Sequence, residues 1–429
     1  MTGEGTLEYL EIGKALKLTS GFPFPSRNFS NENGLPLIRI RDIQNSTIET
    51  YYNGPYSESY IVKNGDILIG MDGDFHVVKW RNDSGLLNQR ILKVEVSDFS
   101  RLSLGFIYYW LCPYILQINS KTAATTVKHL SIKDVQKATG FIPKIDNQQK
   151  IASILDTIDQ AIEKTEALIR KYQQIKAGLM HDLFTRGLTT DGKLRPPREQ
   201  APELYQETPI GWIPKEWEYE PIASLMESLI DGPFGSNLKT EHYVTDPGVR
   251  VVRLQNIQAT NYNDADKAYV SEKHANYLMR NKVVSGDILI AGLGEDRYPV
   301  GRACPYPQNL PPAINKADCF RLKCNSGEYD NYFVMLYLNT PSARTQFRRY
   351  EQGVTRPRIN LSNIKKIVVP KPLLAEQKAI SECLRDVALR VEQELFAKDK
   401  LQKQKSGLMY DLLTGQVPVT IHPEEIAHG

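Results

Sequence analysis

Two octapeptides decide how this chain is read: Gln148-Gln149-Lys150-Ile151-Ala152-Ser153-Ile154-Leu155 and Lys176-Ala177-Gly178-Leu179-Met180-His181-Asp182-Leu183. The first recurs as Gln377-Lys378-Ala379-Ile380-Ser381-Glu382-Cys383-Leu384, the second as Lys405-Ser406-Gly407-Leu408-Met409-Tyr410-Asp411-Leu412, both at one offset of 229 residues without a gap. Glu163, Lys171 and Gln173 match Glu392, Lys400 and Gln402 at the same offset. Self-similarity at a fixed spacing marks a duplicated architecture. Weaker echoes precede each copy. Leu37-Ile38-Arg39-Ile40-Arg41-Asp42-Ile43-Gln44 resembles Val251-Val252-Arg253-Leu254-Gln255-Asn256-Ile257-Gln258, and Gly65-Asp66-Ile67-Leu68-Ile69 equals Gly286-Asp287-Ile288-Leu289-Ile290, at offsets drifting between 214 and 221. Each half thus reads as a variable region followed by a tightly repeated one, which predicts a pseudo-twofold molecule with two related but unequal sites.

The repeated segments are predicted to be long helices. Ile151, Leu155, Ile158, Ile162, Thr165, Ile169 and Tyr172 follow the 4-3 spacing of a coiled-coil seam, and Ile175, Leu179 and Leu183 extend it after a phase slip. Asp146 with Gln149 suggests a capping-box start, and Gly187 a stop. The second copy offers Ile380, Leu384, Val387, Val391, Leu401, Leu408 and Leu412, with Leu395 and Phe396 as alternative seam residues, and ends at Gly415 before Pro418. A helix of this length spans about 55 Å at 1.5 Å per residue. One apolar stripe exposed over that distance would aggregate, so the two helices are expected to pair antiparallel.

The rest alternates short strand-like runs with turns: LPLIRIRDI, GDILIG, RILKVEV, VRVVRLQNI, GDILIAG and KKIVVP. Phe106–Ile118 and Tyr332–Leu338 read as helical or buried, and Thr185–Glu216, rich in Pro and Gly, as a connection. The expected class is α+β. The boundaries fall at 1–147 (first mixed region), 148–186 (first long helix), 187–210 (linker), 211–373 (second mixed region), 374–416 (second long helix) and 417–429 (tail). The 429 residues are 41% hydrophobic and 24% charged, ordinary for a globular protein. The longest apolar run is too short to span a bilayer, and the N-terminus lacks a signal-peptide pattern. Five scattered cysteines suit a reducing compartment. A cytoplasmic protein with no membrane partner is expected.

Catalytic signatures are missing. There is no GxxxxGK[ST] loop, no HExxH helix and no [DNS]-P-P-[YFW] adenine-methylase motif. Asp287-Ile288-Leu289-Ile290-Ala291-Gly292-Leu293-Gly294 looks like a nucleotide loop, but its first-half partner retains only Gly73 opposite Gly294, so a turn is the better reading. Cys304, Cys319 and Cys324 have no first-half counterparts and read as core thiols.

Basic patches carry more. Ala343–Lys366 holds Arg344, Arg348, Arg349, Arg356, Arg358, Lys365 and Lys366 against Glu351, with Thr355 among them. The matching first-half stretch, Asn119–Lys137, holds Lys121, Lys128, Lys133 and Lys137 with Thr125 and Thr126. Each precedes its long helix. Lys and Arg neutralise phosphates, while Arg, Gln, Asn and Thr can read base edges. With net charge only +3, a nucleic-acid site must be local. Candidate contacts are therefore Arg39, Arg41, Gln44, Lys121, Thr125, Thr126, Lys128, Arg253, Gln255, Asn256, Gln258, Arg348, Arg349, Thr355, Arg356 and Arg358.

Together these features resemble the specificity (S) subunits of Type I restriction–modification systems. The residues that carry the resemblance are Ile142-Pro143 through Leu155, Val369-Pro370 through Leu384, the two GLM-containing helix ends, and Glu207-Thr208-Pro209-Ile210-Gly211-Trp212-Ile213-Pro214 followed by Trp217. Asp231-Gly232-Pro233-Phe234-Gly235-Ser236 and the paired GDILI runs fit as well. Two departures stand out: Asn147 where the family often has Glu, and Ser20-Gly21-Phe22-Pro23-Phe24-Pro25-Ser26 in place of a G-P-F-G-S opening. The resemblance implies two target-recognition domains separated by antiparallel helices, each reading one half of a bipartite, asymmetric double-stranded DNA site. It implies two docked methylation (M) subunits, and restriction (R) subunits through the complex. This chain would bind no cofactor; S-adenosylmethionine, ATP and Mg would sit on the partners. Ile151, Leu155, Ile158, Ile162, Ile169, Tyr172, Leu179, Ile380, Leu384, Val387, Val391, Leu401 and Leu408 are the candidates for helix pairing or M-subunit docking. Two other readings stay open: a self-contained DNA methyltransferase or nuclease, and a coiled-coil scaffold without DNA readout.

Overall fold

The computed structural model describes residues 7–45, 47–122, 128–245 and 248–419. In it the two GDILI runs are the same device. Gly65 and Gly286 adopt positive φ, 93° and 82°, which a glycine enters without a Cβ penalty. The following carboxylate closes the turn: Asp66 Oδ2 accepts from Lys63 N at 2.8 Å, and Asp287 Oδ2 from Val284 N at 2.9 Å. The strands that emerge, Ile67–Gly70 and Ile288–Ala291, are buried at every position.

Each strand lies inside a four-stranded antiparallel sheet. In the first half the order is Leu16–Ser20, Ile91–Val96, Ile67–Gly70, His76–Lys79; in the second it is Met226–Ile230, Cys319–Cys324, Ile288–Ala291, Ala303–Pro305. A five-stranded sheet accompanies each, with one parallel pair in the same place, Leu37 beside Leu86 and Val251 beside Ile314. The duplication read from two octapeptides therefore extends to the strand order and direction of both sheets.

Two compact units result. Unit 1 is Met1–Ala167 with Leu395–Gly429; unit 2 is Leu168–Glu394. Both long helices cross from one unit to the other: they span Ile145–Thr185 and Leu374–Leu413. Each helix end contributes to the core of one unit. In unit 1, Ile151, Leu155 and Leu412 pack with the sheet residues Ile67, Ile69, Leu92 and Val94 and with Phe106, Tyr109 and Leu111 of the helix Leu104–Lys121. In unit 2, Leu183, Phe184, Ile380 and Leu384 join Ile288, Ile290, Phe320 and Leu322 and the helices Asn331–Leu338 and Pro341–Tyr350.

The helices run antiparallel within each unit. In unit 1, Glu166 meets Lys398 at 2.8 Å, and seven residues back along one helix Asp159 meets Lys405, seven residues on along the other, at 2.6 Å. In unit 2 the Glu376 carboxylate, at the start of the second helix, accepts from Leu188 N just beyond the end of the first. Leu395, Phe396 and Ile175, expected in the seam, are 48%, 71% and 39% exposed. In unit 1 these ion pairs stand beside an apolar cluster that Ile151 and Leu155 of the first helix share with Leu412 of the second. The first helix also begins at Ile145, so Asp146 stands in its first turn, where it suits the dipole, rather than capping it.

Gln148 and Gln377 explain why glutamine recurs. Both are fully buried. Gln148 Oε1 accepts from Ser103 N, and its Nε2 donates to Arg101 O and Pro143 O, all at 2.9 Å. Gln377 Oε1 accepts from Asp330 N at 3.0 Å, and its Nε2 donates to Glu328 O and Pro372 O at 3.0 and 2.9 Å. Ser103 and Asp330 each precede the first turn of a core helix. One amide therefore ties the start of each long helix to the start of the helix packed on the sheet.

The stretch read as a plain linker is structured. Tyr205–Thr208 pairs with Gly211–Pro214 as a hairpin, and the buried Arg195 guanidinium lies 2.6 Å from Glu376. Trp217 Nε1 donates to the same carboxylate at 3.1 Å, and Gly187 (φ 64°) packs against both groups. In unit 1 the corresponding glycine, Gly415 (φ 71°), packs against Leu7.

Gln148→Ala should lower stability by about 2–4 kcal/mol, because three backbone groups lose their buried partner. Chemical denaturation read from unit 1 checks this; a loss under about 0.5 kcal/mol would remove the amide tie from any structural role.

Candidate nucleic-acid interface

The echoes around Arg39 and Arg253 were expected to be strand ends. The strands stop earlier, at Ile38 and Val252, and the chain turns into short helical segments, Ile40–Asn45 and Leu254–Asn256. That changes which side chains face outward. The sixth residue of each echo turns back to cap the segment: Asp42 Oδ2 accepts from Arg39 N at 2.9 Å, and Asn256 Oδ1 accepts from Arg253 N at 2.8 Å. Asn256 is fully buried and its Nδ2 donates to Asn263 O and Asp266 O. Arg253 is paired with Asp266, and Arg39 lies half-buried 3.8 Å from Asp42. Arg41, Gln44 and Gln255 are exposed and Gln258 is half-buried. Arg41 is paired with Glu49 at 3.1 Å, Gln44 Nε2 lies 3.4 Å from His76 Nδ1, and Gln258 Nε2 donates to Gln255 O at 3.1 Å.

These residues gather at the C-terminal end of each GDILI strand. In unit 2, Leu254, Gln255, Gln258, Asn263, Leu293, Gly294, Glu295, Tyr298, Arg302 and Arg356 line an open cleft of about 390 Å³. Arg302 is the clamp beneath it. Its guanidinium is buried and donates to the carbonyls of Leu254, Ile257, Leu293, Tyr298 and Pro299, joining the echo segment to the turn after the strand. Burial holds its pKa below the ordinary arginine value. Arg344, read as part of the basic patch, also points inward, to Val300 O at 2.5 Å, and burial lowers its pKa to about 10.

In unit 1 the equivalent turn carries Asp72, whose carboxylate is 2.6 Å from His129 Nδ1 and 3.5 Å from Arg90 Nε. Its far end carries His76, across the strand pair from Gly70. The basic loops close onto these turns by matching bonds: Gly73 N donates to Lys128 O, and Gly294 N to Pro357 O, both at 3.0 Å. The glycine pair is thus a turn, as the missing phosphate-loop residues implied.

Other candidates are placed as follows. Lys121 is exposed at the end of its helix, and Lys128 Nζ donates to Asn119 O at 2.9 Å. Thr125 and Thr126 lie outside the described residues. Arg348 and Arg349 stand exposed in the last turn of Pro341–Tyr350, and Thr355 and Arg356 are exposed on the loop that follows. Arg358 is 2.7 Å from Asp318 and 5.4 Å above the Phe234 ring. Among the helix candidates, Ile151, Leu155, Ile158, Ile169, Ile380 and Leu384 are buried, while Ile162, Tyr172, Leu179, Val387, Val391, Leu401 and Leu408 are half-buried. Asp72, His76, Arg90, His129, Asn263, Glu295, Tyr298 and Asp318 were not singled out from the sequence. Aligning the turns after the two GDILI runs would have pointed to several of them.

All five cysteines are free. Cys304, Cys319 and Cys324 are buried, and burial pushes the Cys304 thiol up to about 12. Among the described residues no group of three or more His, Cys, Asp or Glu could hold a metal, and no helix is long and apolar enough to cross a membrane.

Two copies of one fold, each collecting polar side chains at the same strand end, define a duplicated recognition protein. The chain matches the type I restriction modification DNA specificity domain twice, over residues 6–173 and 214–398. It therefore belongs to the specificity subunits of type I restriction–modification systems, whose business is DNA recognition. It is 28% identical over 414 residues to the type I restriction enzyme EcoBI specificity subunit of Escherichia coli, covering 93% of this chain and 81% of that one. It is 24% identical over 366 residues to the type I restriction enzyme MjaVIII specificity subunit of Methanocaldococcus jannaschii, covering 85% and 81%. A solved S subunit of a type I restriction–modification system from M. genitalium shares the fold, with TM-score 0.62, 15% identity and 98% of both chains covered.

Burial pushes the Asp42 carboxyl up to about 6 from 3.8, against the opposing pull of Arg41. A raised folded pKa means the group favours the fold below its ordinary value, and that contribution is lost as pH rises through the folded value. Asp42→Asn, which copies the unit 2 cap, should therefore gain stability relative to the parent chain as pH rises from about 4 to 6. Parallel denaturation curves across this range test it; a constant difference between the two proteins would contradict the buried, uphill-titrating carboxyl.

Proposed function

We propose that this chain is the non-catalytic DNA-reading subunit of a type I complex, each unit reading one half of a split, asymmetric duplex site. The observation that carries the reading is the pair of strand ends that match in topology and backbone bonding but bear different side chains. Arg41 in unit 1 stands where unit 2 has Gln255, and His129 stands where unit 2 has Arg358. A shared backbone with exchanged donors and acceptors suits two readers of different sequence. Exposed Lys121, Arg348 and Arg349 suit phosphates, which position without specifying, while Gln44, Gln255 and Arg356 suit base edges. Splitting the site between two readers makes the second contact intramolecular, and each mismatched base pair would cost about 1–3 kcal/mol.

In this proposal the long helices set the spacer between half-sites and dock two adenine-methylating M subunits, and R subunits join through that complex. Half-buried Ile162, Tyr172, Val387, Val391 and Leu401 are the docking candidates, and exposed Phe396 suits an apolar partner surface. S-adenosylmethionine, ATP and Mg would be bound by the partners, in the cytoplasm.

The test is to mix the purified chain with its cognate M subunit and labelled S-adenosylmethionine, then map the methylated adenines. Methylation at one bipartite sequence by the pair, and by neither protein alone, is expected. Methyl transfer by this chain alone would overturn the proposal. Replacing residues 1–147 with those of a relative should change one half-site only; a change in both would refute independent readers.

A further inference from the structure

Three non-glycine residues have positive φ among the described residues: Arg90 (73°), Thr260 (67°) and Asp318 (64°). Two of them occupy one position of the repeat. Arg90 precedes the strand Ile91–Val96, and Asp318 precedes Cys319–Cys324. Their carbonyls accept from Met71 N at 3.0 Å and Gly292 N at 2.7 Å, the first residues after the two GDILI strands. A left-handed backbone at a residue with a Cβ is strained and persists where the surroundings enforce it, often at functional positions.

At this strained position each unit builds an arginine–carboxylate contact, with the roles reversed. In unit 2 the turn supplies the anion: Asp318 Oδ1 accepts from Nε of Arg358, which comes from the basic loop. In unit 1 the turn supplies the cation. Arg90 Nε faces Asp72, and Asp72 is held on its other oxygen by His129, the residue that takes the place of Arg358. Both arginines are about half exposed, 55% and 49%, and both are engaged through Nε. Arg81 and Arg101, also exposed, meet Glu163 and Glu8 through an Nη nitrogen, and Arg41 divides its guanidinium between Asp42 at Nε and Glu49 at Nη2. Among the described residues neither Arg90 nor Arg358 makes an ion pair with a second carboxylate, so each guanidinium has donors to offer a ligand.

We infer that these two braced arginines, Arg90 in unit 1 and Arg358 in unit 2, each read a guanine in the half-site of their own unit. A planar guanidinium offers two parallel donors that match O6 and N7 of guanine in the major groove. A carboxylate at Nε fixes the plane while leaving both terminal nitrogens free, so little side-chain entropy is lost on binding. The Phe234 ring beneath Arg358 holds that plane from below. Asp72 and Asp318 are positioning residues. This inference rests on the DNA-reading function proposed above and assigns it a base and a contact in each half.

The experiment reconstitutes the full chain with its M subunit and profiles methylation over a library randomised at each position of the site. Arg90→Lys and Arg358→Lys keep the charge and the backbone strain but lose the fork. Each should lower the preference for guanine about tenfold to a hundredfold at one position, in opposite half-sites, with affinity for unrelated DNA unchanged. Arg358→Gln should move the preference at its position from guanine to adenine. Asp72→Asn should weaken discrimination at the position altered by Arg90→Lys and at no other. Unchanged base profiles, or a uniform loss across all sequences, would overturn the inference. A parent complex that methylates without sequence preference would instead overturn the DNA-reading function itself.

Discussion

A buried glutamine amide at the head of each long helix is the constraint on which the rest depends. A primary amide in an apolar core must satisfy both ends or cost several times what one ordinary hydrogen bond contributes. Gln148 and Gln377 meet that demand with three backbone partners each, drawn from the chain before the long helix and from the helix packed on the sheet. Direction and depth of the long helix are thereby fixed against the domain that precedes it. The apolar residues one turn on, Ile151 and Ile380, then enter the domain core.

The same logic delivers the candidate interface. A wholly buried strand leaves its sheet at a defined point, and the turn that follows has to surface there. Buried groups then fasten the neighbouring segments to that turn: Arg302 through five carbonyls in unit 2, and Gly73 and Gly294 through single bonds to the basic loops. With the backbone held from beneath, the outward side chains are free to vary. Duplication has used that freedom: one copy carries Gln255, Gln258 and the Arg358–Asp318 pair, the other Gln44, His76, His129 and the Arg90–Asp72 pair.

Burial also sorts residues that look alike in the sequence. Arg344 and Arg356 belong to one basic run, yet Arg344 anchors a carbonyl in the interior while Arg356 lines the cleft. Asn256 and Gln255 are adjacent amides, yet Asn256 caps its segment from full burial while Gln255 stays exposed. Local sequence does not distinguish these pairs, because what separates them is the direction of one side chain relative to a core assembled from distant strands.

The sequence by itself determined the duplication, the α+β class, the two long helices, the GDILI strands and the family, since gapless repeats and helical periodicity are local and redundant. It also located the basic stretches. The tertiary structure alone decided that each helix end completes a domain core, that the connection between halves holds a buried Arg195–Glu376 pair, and that strand ends at Ile38 and Val252 turn helical. It alone brought Asp72, Arg90 and His129 together from three separate segments. Those choices follow from long-range burial and from the need to satisfy every polar group it traps, and neither is written in the spacing of neighbouring residues.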